Sequence, residues 1–348
     1  MPSPDNSQVM TWRKRLVLFC LGLLLAVGQA PFGLSLIYFV ILPFLGWIIR
    51  NVPTVKIGFG VGWWAGFGYF SLTMVWIVEP FFVDPYITGW MAPFALGFMA
   101  AGLALFWASA FALAVKIMPT GAGRVVILAI TWTALEYLRA NIFTGFPWGH
   151  LSYGLINLPL GQLVAFFGIH GTGLLILLIS FLPAIFAPRI WDGAIWATIT
   201  FFLLAGFGQW WQSGPVAMNP ANTLLRVVQP NAAQHLKWRH DMVDVFYGRM
   251  MGYTRAQTVD RPDVVIWPET AIPYLYRDSL PILQEIATAS GPETAVIAGI
   301  VRTIGDKPRN TMLFMDPAGG PNALYDKQHW VSLGEYLPFA ALIDRLGL

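Results

Sequence analysis

Between Leu16 and Trp210 the chain carries only ten charged side chains: Arg50, Lys56, Glu79, Asp84, Lys116, Arg124, Glu136, Arg139, Arg189 and Asp192. Globular domains carry about 25% charged residues. A stretch this long without a polar shell belongs in lipid. From Trp211 to Leu348 there are twenty-five charged residues, which is near the soluble norm. The break in charge density divides the chain into residues 1–212, a membrane domain, and residues 213–348, a water-facing domain. With 56% hydrophobic residues and one cysteine, the chain is neither disordered nor a disulfide scaffold.

A helix needs about 20 apolar residues to cross a bilayer core. Seven segments qualify as expected spans, at roughly 14–30, 33–50, 56–78, 89–116, 122–140, 160–187 and 190–210. The first two are joined by Gln29-Ala30-Pro31-Phe32-Gly33, a turn signal. The basic start Arg13-Lys14-Arg15 imitates a signal peptide, yet no small-residue cleavage site follows, so the first span is expected to stay. If the spans alternate, Arg13, Lys14, Arg15, Arg50, Lys56, Lys116, Arg124 and Arg189 all fall on the N-terminal side. The positive-inside rule then puts the N-terminus in the cytoplasm of a multi-pass membrane protein and residues 213–348 outside. Trp12, Trp47, Trp76, Trp90, Trp148 and Trp210 lie near expected span ends, as an aromatic belt would.

The net charge of +3 comes from residues flanking apolar runs rather than from a basic stripe with exposed aromatics, which argues against nucleic acid as a partner. Glu136 and Arg139, three apart near the outer end of the fifth span, can face one another. An ionisable residue inside a span is a functional candidate. A structural ion pair against a neighbouring helix is the other reading. His150 and His170 have no metal-ligand spacing and read as packing residues, the glycines of Gly58–Gly68 as close helix contacts, and Cys20 as a small buried hydrophobe.

After Asn222 short apolar runs alternate with polar segments. Leu224–Gln229, Val264–Trp267, Ala295–Ile300, Met312–Met315 and Ala323–Tyr325 read as strands; His240–Gln257 and Leu283–Ala289 read as helices, with Met250 and Met251 in the core. Strands alternating with helices and ending in a hairpin indicate an α/β sandwich. Glu269 follows the second strand and Lys327 the last. Reactive groups gather outside the carboxyl ends of strands in open α/β sheets, where a carboxylate serves as general base and an ammonium stabilises a developing oxyanion. Solvated surface charges are the plainer reading of each. His329, beside Lys327, reads as a hydrogen-bonding residue.

Trp267-Pro268-Glu269-Thr270-Ala271 and the run from Tyr325-Asp326-Lys327-Gln328-His329 to Gly334-Glu335-Tyr336-Leu337-Pro338 resemble the first two catalytic motifs of the nitrilase superfamily. The second has the form used by apolipoprotein N-acyltransferases. Val228-Gln229-Pro230-Asn231, Lys237-Trp238 and Thr144-Gly145-Phe146-Pro147-Trp148 are similar to further segments of that family. The resemblance extends over nearly the whole chain. It implies a polytopic α-helical membrane domain followed by an incomplete nitrilase-like αββα sandwich. It also implies an acyltransferase that takes an acyl chain from a membrane phospholipid onto a cysteine and passes it to the N-terminal diacylglyceryl-cysteine of an apolipoprotein. By the same resemblance Glu269 is the general base, Lys327 the oxyanion stabiliser and Glu335 a supporting carboxylate. Trp238 is expected at the lipid entrance, with Trp148, Glu136 and Arg139 toward the substrate. No cofactor or metal is implied.

The family pattern places the nucleophilic cysteine several tens of residues after the lysine motif, so a chain ending at Leu348 is expected to be an incomplete one, inactive by itself. A cysteine-less scaffold or lipid-binding relative is the alternative. A transporter is a third reading, although neither internal repeats nor mid-membrane ionisable pairs are present.

Overall fold

In the computed structural model, which describes residues 10–142, 145–215, 222–233, 236–237, 239–305 and 307–329, a helix lies in each apolar segment. They are α1 (Trp12–Ala26), α2 (Tyr38–Arg50), α3 (Val55–Thr73), the short α4 (Pro85–Thr88), α5 (Ala92–Ile117), α6 (Ala122–Asn141), α7 (Val164–Ile185) and α8 (Ile190–Gln212). Pro85–Ile117, Pro159–Ile185 and Ile190–Gln212 are each long and apolar enough to cross a membrane. A fourth stretch joins them if α3 and the following turn, bent by 48°, count as one span. α1 and α2, at 15 and 13 residues, are shorter than the bilayer core requires. α6 carries Arg124, Glu136 and Arg139 along its 20 residues.

Small residues let α3 pack between α1 and α5. A Cβ on Gly62 would lie 2.5 Å from the Trp107 carbonyl oxygen of α5, and one on Gly68 would lie 2.0 Å from that of Phe19 in α1. Without side chains there the backbones approach closely, and dispersion replaces the hydrophobic drive that lipid does not supply. Two cations that the sequence pattern assigns to the N-terminal side also have a local task. Arg124 donates to the carbonyls of Ile49 (3.0 Å) and Val52 (2.6 Å) and, from Nε, to that of Met118 (2.8 Å). Arg50 donates to Ala184 (2.8 Å). Each satisfies carbonyls that helix C-termini leave unpaired. Cys20 corrects an expectation: it is exposed on α1, not buried. An unbranched apolar run gives no signal of which helix face turns inward, and α1 turns Leu18, Gly22 and Leu25 in instead.

A second unit takes in the described residues from 222 onward. Its five strands are β1 (Leu225–Val227), β2 (Val264–Ile266), β3 (Ala295–Ile304), β4 (Lys307–Met315) and β5 (Pro321–Asp326), hydrogen-bonded in that order. β1, β2 and β3 are parallel, and β3, β4 and β5 antiparallel. α9 (His240–Arg255) and α10 (Leu280–Ser290) connect the parallel strands. Met250, Met251, Leu283 and Ile286 pack with Val265, Val296, Ala298, Leu313 and Met315, one side of the pleat. The other side leaves Leu225, Val227, Met312 and Tyr325 exposed. β3 and β4 run further than the apolar pattern predicts, meeting at Ile304 and Lys307. Their outer halves, Val301–Ile304 and Lys307–Thr311, are mostly polar or partly exposed and so lack the alternation that a half-buried strand displays.

Candidate active site

Glu269 is held by backbone on both flanks. Beyond β2, Trp267 N–H donates to the Ile297 carbonyl (2.8 Å) and Gly299 N–H to that of Pro268 (3.2 Å), while Ala271 and Ile272 both donate to Gly299 (2.9 and 3.1 Å). The chain crosses so close over β3 that a Cβ on Gly299 would lie 2.3 Å from the Thr270 nitrogen. Thr270 has φ +50°, a left-handed conformation that costs a branched residue energy and recurs at functional sites. Trp267 anchors the turn: its indole N–H donates to the Thr254 hydroxyl at 2.9 Å and its ring is buried.

Lys327 continues the ladder beyond β5, its N–H donating to the Asn310 carbonyl at 2.9 Å. That bond brings three groups together. Lys327 Nζ lies 3.6 Å from Glu269 Oε1, and the Asn310 side-chain amide donates to the same oxygen. Lys237 Nζ donates to the Glu269 backbone carbonyl at 3.2 Å. The Glu269 side chain is 64% exposed and that of Lys327 32%, so the pair is open to a reactant. A carboxylate with an ammonium and an amide beside it can accept a proton and face developing negative charge on an oxygen. Nothing in the sequence singles out Asn310, because it sits in the polar outer half of β4; only a strand drawn back from Met312 would place it beside Glu269.

The strand carrying Lys327 is fixed one residue earlier. Arg302 donates to Asp326 through Nε (2.8 Å) and Nη2 (2.5 Å), and the Thr311 hydroxyl donates at 2.7 Å. The guanidinium bonds, then the Thr311 bond, hold the Asp326 carboxyl down to about 2. His329 is exposed. Trp238 and Glu335 lie outside the described residues, as does Thr144. Among the described residues, no three metal-ligating side chains gather.

The remaining sequence candidates belong to the helical unit. Glu136 and Arg139 pair along α6 and both are buried. The Trp107 indole donates to Glu136 Oε1 at 2.8 Å. Arg139 donates from Nη1 to the carbonyls of Phe146 (2.6 Å) and Trp148 (2.7 Å) and lies over the Phe70 ring. The pair therefore fixes the loop after α6, and the Trp148 side chain on that loop is exposed, edge-on to Trp76. Gln29, from the turn after α1, extends the polar core by donating to the Tyr69 hydroxyl (2.8 Å) and the His150 carbonyl (2.9 Å). The His150 ring is buried, 4.9 Å from that of His170.

The sequence profile of the apolipoprotein N-acyltransferase N-terminal domain matches residues 21–182. A chain named apolipoprotein N-acyltransferase from Brucella suis biovar 1 (strain 1330) is 35% identical over 364 aligned positions, covering 97% of this chain and 68% of the relative. Its namesake from Brucella melitensis biotype 1 is 34% identical with the same coverage. That of Rhizobium meliloti (strain 1021) is 32% identical, over 95% of this chain and 66% of its own length.

Proposed function

The chain belongs to the apolipoprotein N-acyltransferase family, and from that premise we propose that it serves phospholipid-dependent N-acylation of apolipoproteins through an acyl-thioester. A cysteine thiol adds to an ester carbonyl of a membrane phospholipid, giving its proton to Glu269. Lys327 and Asn310 face the oxygen of the tetrahedral intermediate. Collapse breaks the carbon–oxygen bond, and the departing lysophospholipid alkoxide takes the proton back. In the second half the α-amino group of the diacylglyceryl-cysteine attacks the thioester, Glu269 again takes the proton, and the carbon–sulfur bond breaks as the departing thiolate takes that proton back. Splitting one transfer between two easier steps is the use of a nucleophile. One observation carries this reading: Lys327 Nζ stands 3.6 Å from Glu269 Oε1, base and cation on one exposed spot.

By resemblance, Glu335 supports the site and Trp238 meets the acyl donor. Glu136 and Arg139 act by presenting Trp148 to lipid. We read residues 213–348 as part of a nitrilase-like αββα sandwich. The exposed Leu225, Val227, Met312 and Tyr325 support this, since the bare apolar side of the sheet suits a second sheet. Cys20, the one cysteine of these 348 residues, lies on α1; by the resemblance the nucleophile follows the lysine motif instead.

The transfer assay uses residues 1–348 joined to the C-terminal segment of the Brucella suis relative, where the resemblance places the thiol. A synthetic diacylglyceryl-lipopeptide should gain the mass of one acyl chain from added phospholipid; an unmodified peptide with folded protein would refute the reading. The proposed membrane placement counts the short α1 and α2 among seven spans, with a cytoplasmic N-terminus and residues 213–348 in the periplasm. In a Cys20→Ala background, a cysteine at the exposed Gln257 should react with an impermeant thiol reagent in cells with permeabilised outer membranes, and one at the exposed Thr120 should not. The reverse pattern would overturn the orientation.

A further inference from the structure

At the end of the helical unit remote from Trp148, α1, α2 and α3 enclose a groove of about 500 Å³. Its volume falls in the range of roughly 300–1,000 Å³ found for ligand sites. The two ends are separated by α6: Arg124, at its start, sits on the Ile49 and Val52 carbonyls beside the groove, and Arg139 lies about four turns further on. Val17 of α1, Trp47 and Ile48 of α2 and Ile57 of α3 make the groove mostly apolar, and Arg13 and Lys14 are the cations of its lining. Among the described residues, no carboxylate lines it. Val17 and Trp47 are more than half exposed, so the trough opens outward along the helices. A second trough of about 620 Å³ adjoins it through Met10 and adds Arg15 and Lys56 beside Trp63 and Trp64.

Cations set over an apolar trough select one kind of molecule. A soluble anion would leave the trough unfilled, and a zwitterionic lipid would bring an ammonium toward Arg13 and Lys14. A phospholipid with a net negative headgroup satisfies both parts, and basic pockets between membrane helices bind such headgroups. We infer that this groove is a binding site for an anionic phospholipid, with its acyl chain along Val17, Trp47 and Ile57 and its phosphate on Arg13 and Lys14. The inference requires only that the helices lie in lipid; it does not depend on acyl transfer.

The test uses the whole 348-residue chain, delipidated in a mild detergent, with thermal midpoint as the readout. Phosphatidylglycerol should raise the midpoint in a saturable way, while phosphatidylethanolamine and glycerol 3-phosphate should not. The Arg13→Gln/Lys14→Gln double variant should need at least tenfold more phosphatidylglycerol for the same rise. Val17→Trp, which adds bulk to the trough and keeps every charge, should also weaken the effect, and it carries the test if the double variant does not insert. Lys116→Gln removes a cation outside the groove and should respond as the unaltered protein does. An equal response to phosphatidylethanolamine, a full response to glycerol 3-phosphate, a loss in Lys116→Gln as large as in the double variant, or full retention in Val17→Trp would each overturn the site.

Discussion

Lys327→Met should lower acyl transfer on the order of 10²–10³-fold while leaving the protein folded. Methionine keeps much of the length of the lysine side chain and removes the charge that faces the intermediate's oxygen. The pair with Glu269 is partly to largely exposed, and such pairs contribute only about 0–1 kcal/mol to stability. The thermal midpoint should therefore hardly move while kcat collapses. Glu269→Gln should do comparable harm for a different reason, since an amide accepts no proton at neutral pH. Asn310→Ala, which removes one donor to Glu269, should cost less than either. Measured in the transfer assay on the extended chain, near-normal turnover by folded Lys327→Met protein would take that residue out of the chemistry.

Arg139→Met should destabilise the helical unit by about 3–5 kcal/mol, the usual consequence of removing one partner of a buried pair. The change strands the Glu136 carboxylate and frees the Phe146 and Trp148 carbonyls at once. Glu136→Gln in the same chain relieves the stranded charge and should recover part of the loss, but not the carbonyl bonds. Unfolding of the single and double variants in detergent measures both quantities. Additive losses would show that the two side chains are not coupled.

The division into helical and sheet parts was legible because charge density is a property of long stretches, insensitive to local packing. The strand-end positions of Glu269 and Lys327 were legible because each closes a short apolar strand, and strand ends are where an open sheet exposes side chains. Asn310 was hidden for the converse reason: β4 carries it in a polar half that no alternation marks. The role of Arg139 was half visible. Its spacing from Glu136 predicts the ion pair, whereas its bonds to Phe146 and Trp148 depend on a turn with Gly145 at φ +88°. Cys20 was misplaced because leucines on every side of α1 leave no stripe to indicate an inward face. Arg50 and Arg124 were read as markers of orientation, yet the same charges also cap helix ends.

The most direct measurement of the central claim is a search for the acyl-thioester itself. Protein is incubated with phospholipid carrying a labelled acyl chain, and label released by neutral hydroxylamine is mapped to its residue. The extended chain should carry one labile acyl group on a cysteine of the added segment, lost in Glu269→Gln and Lys327→Met. The 348-residue chain, whose one thiol is Cys20, should carry none, and Cys20→Ala should change nothing. An acyl group mapped to Cys20, or lipopeptide acylation by the 348 residues alone, would contradict the mechanism.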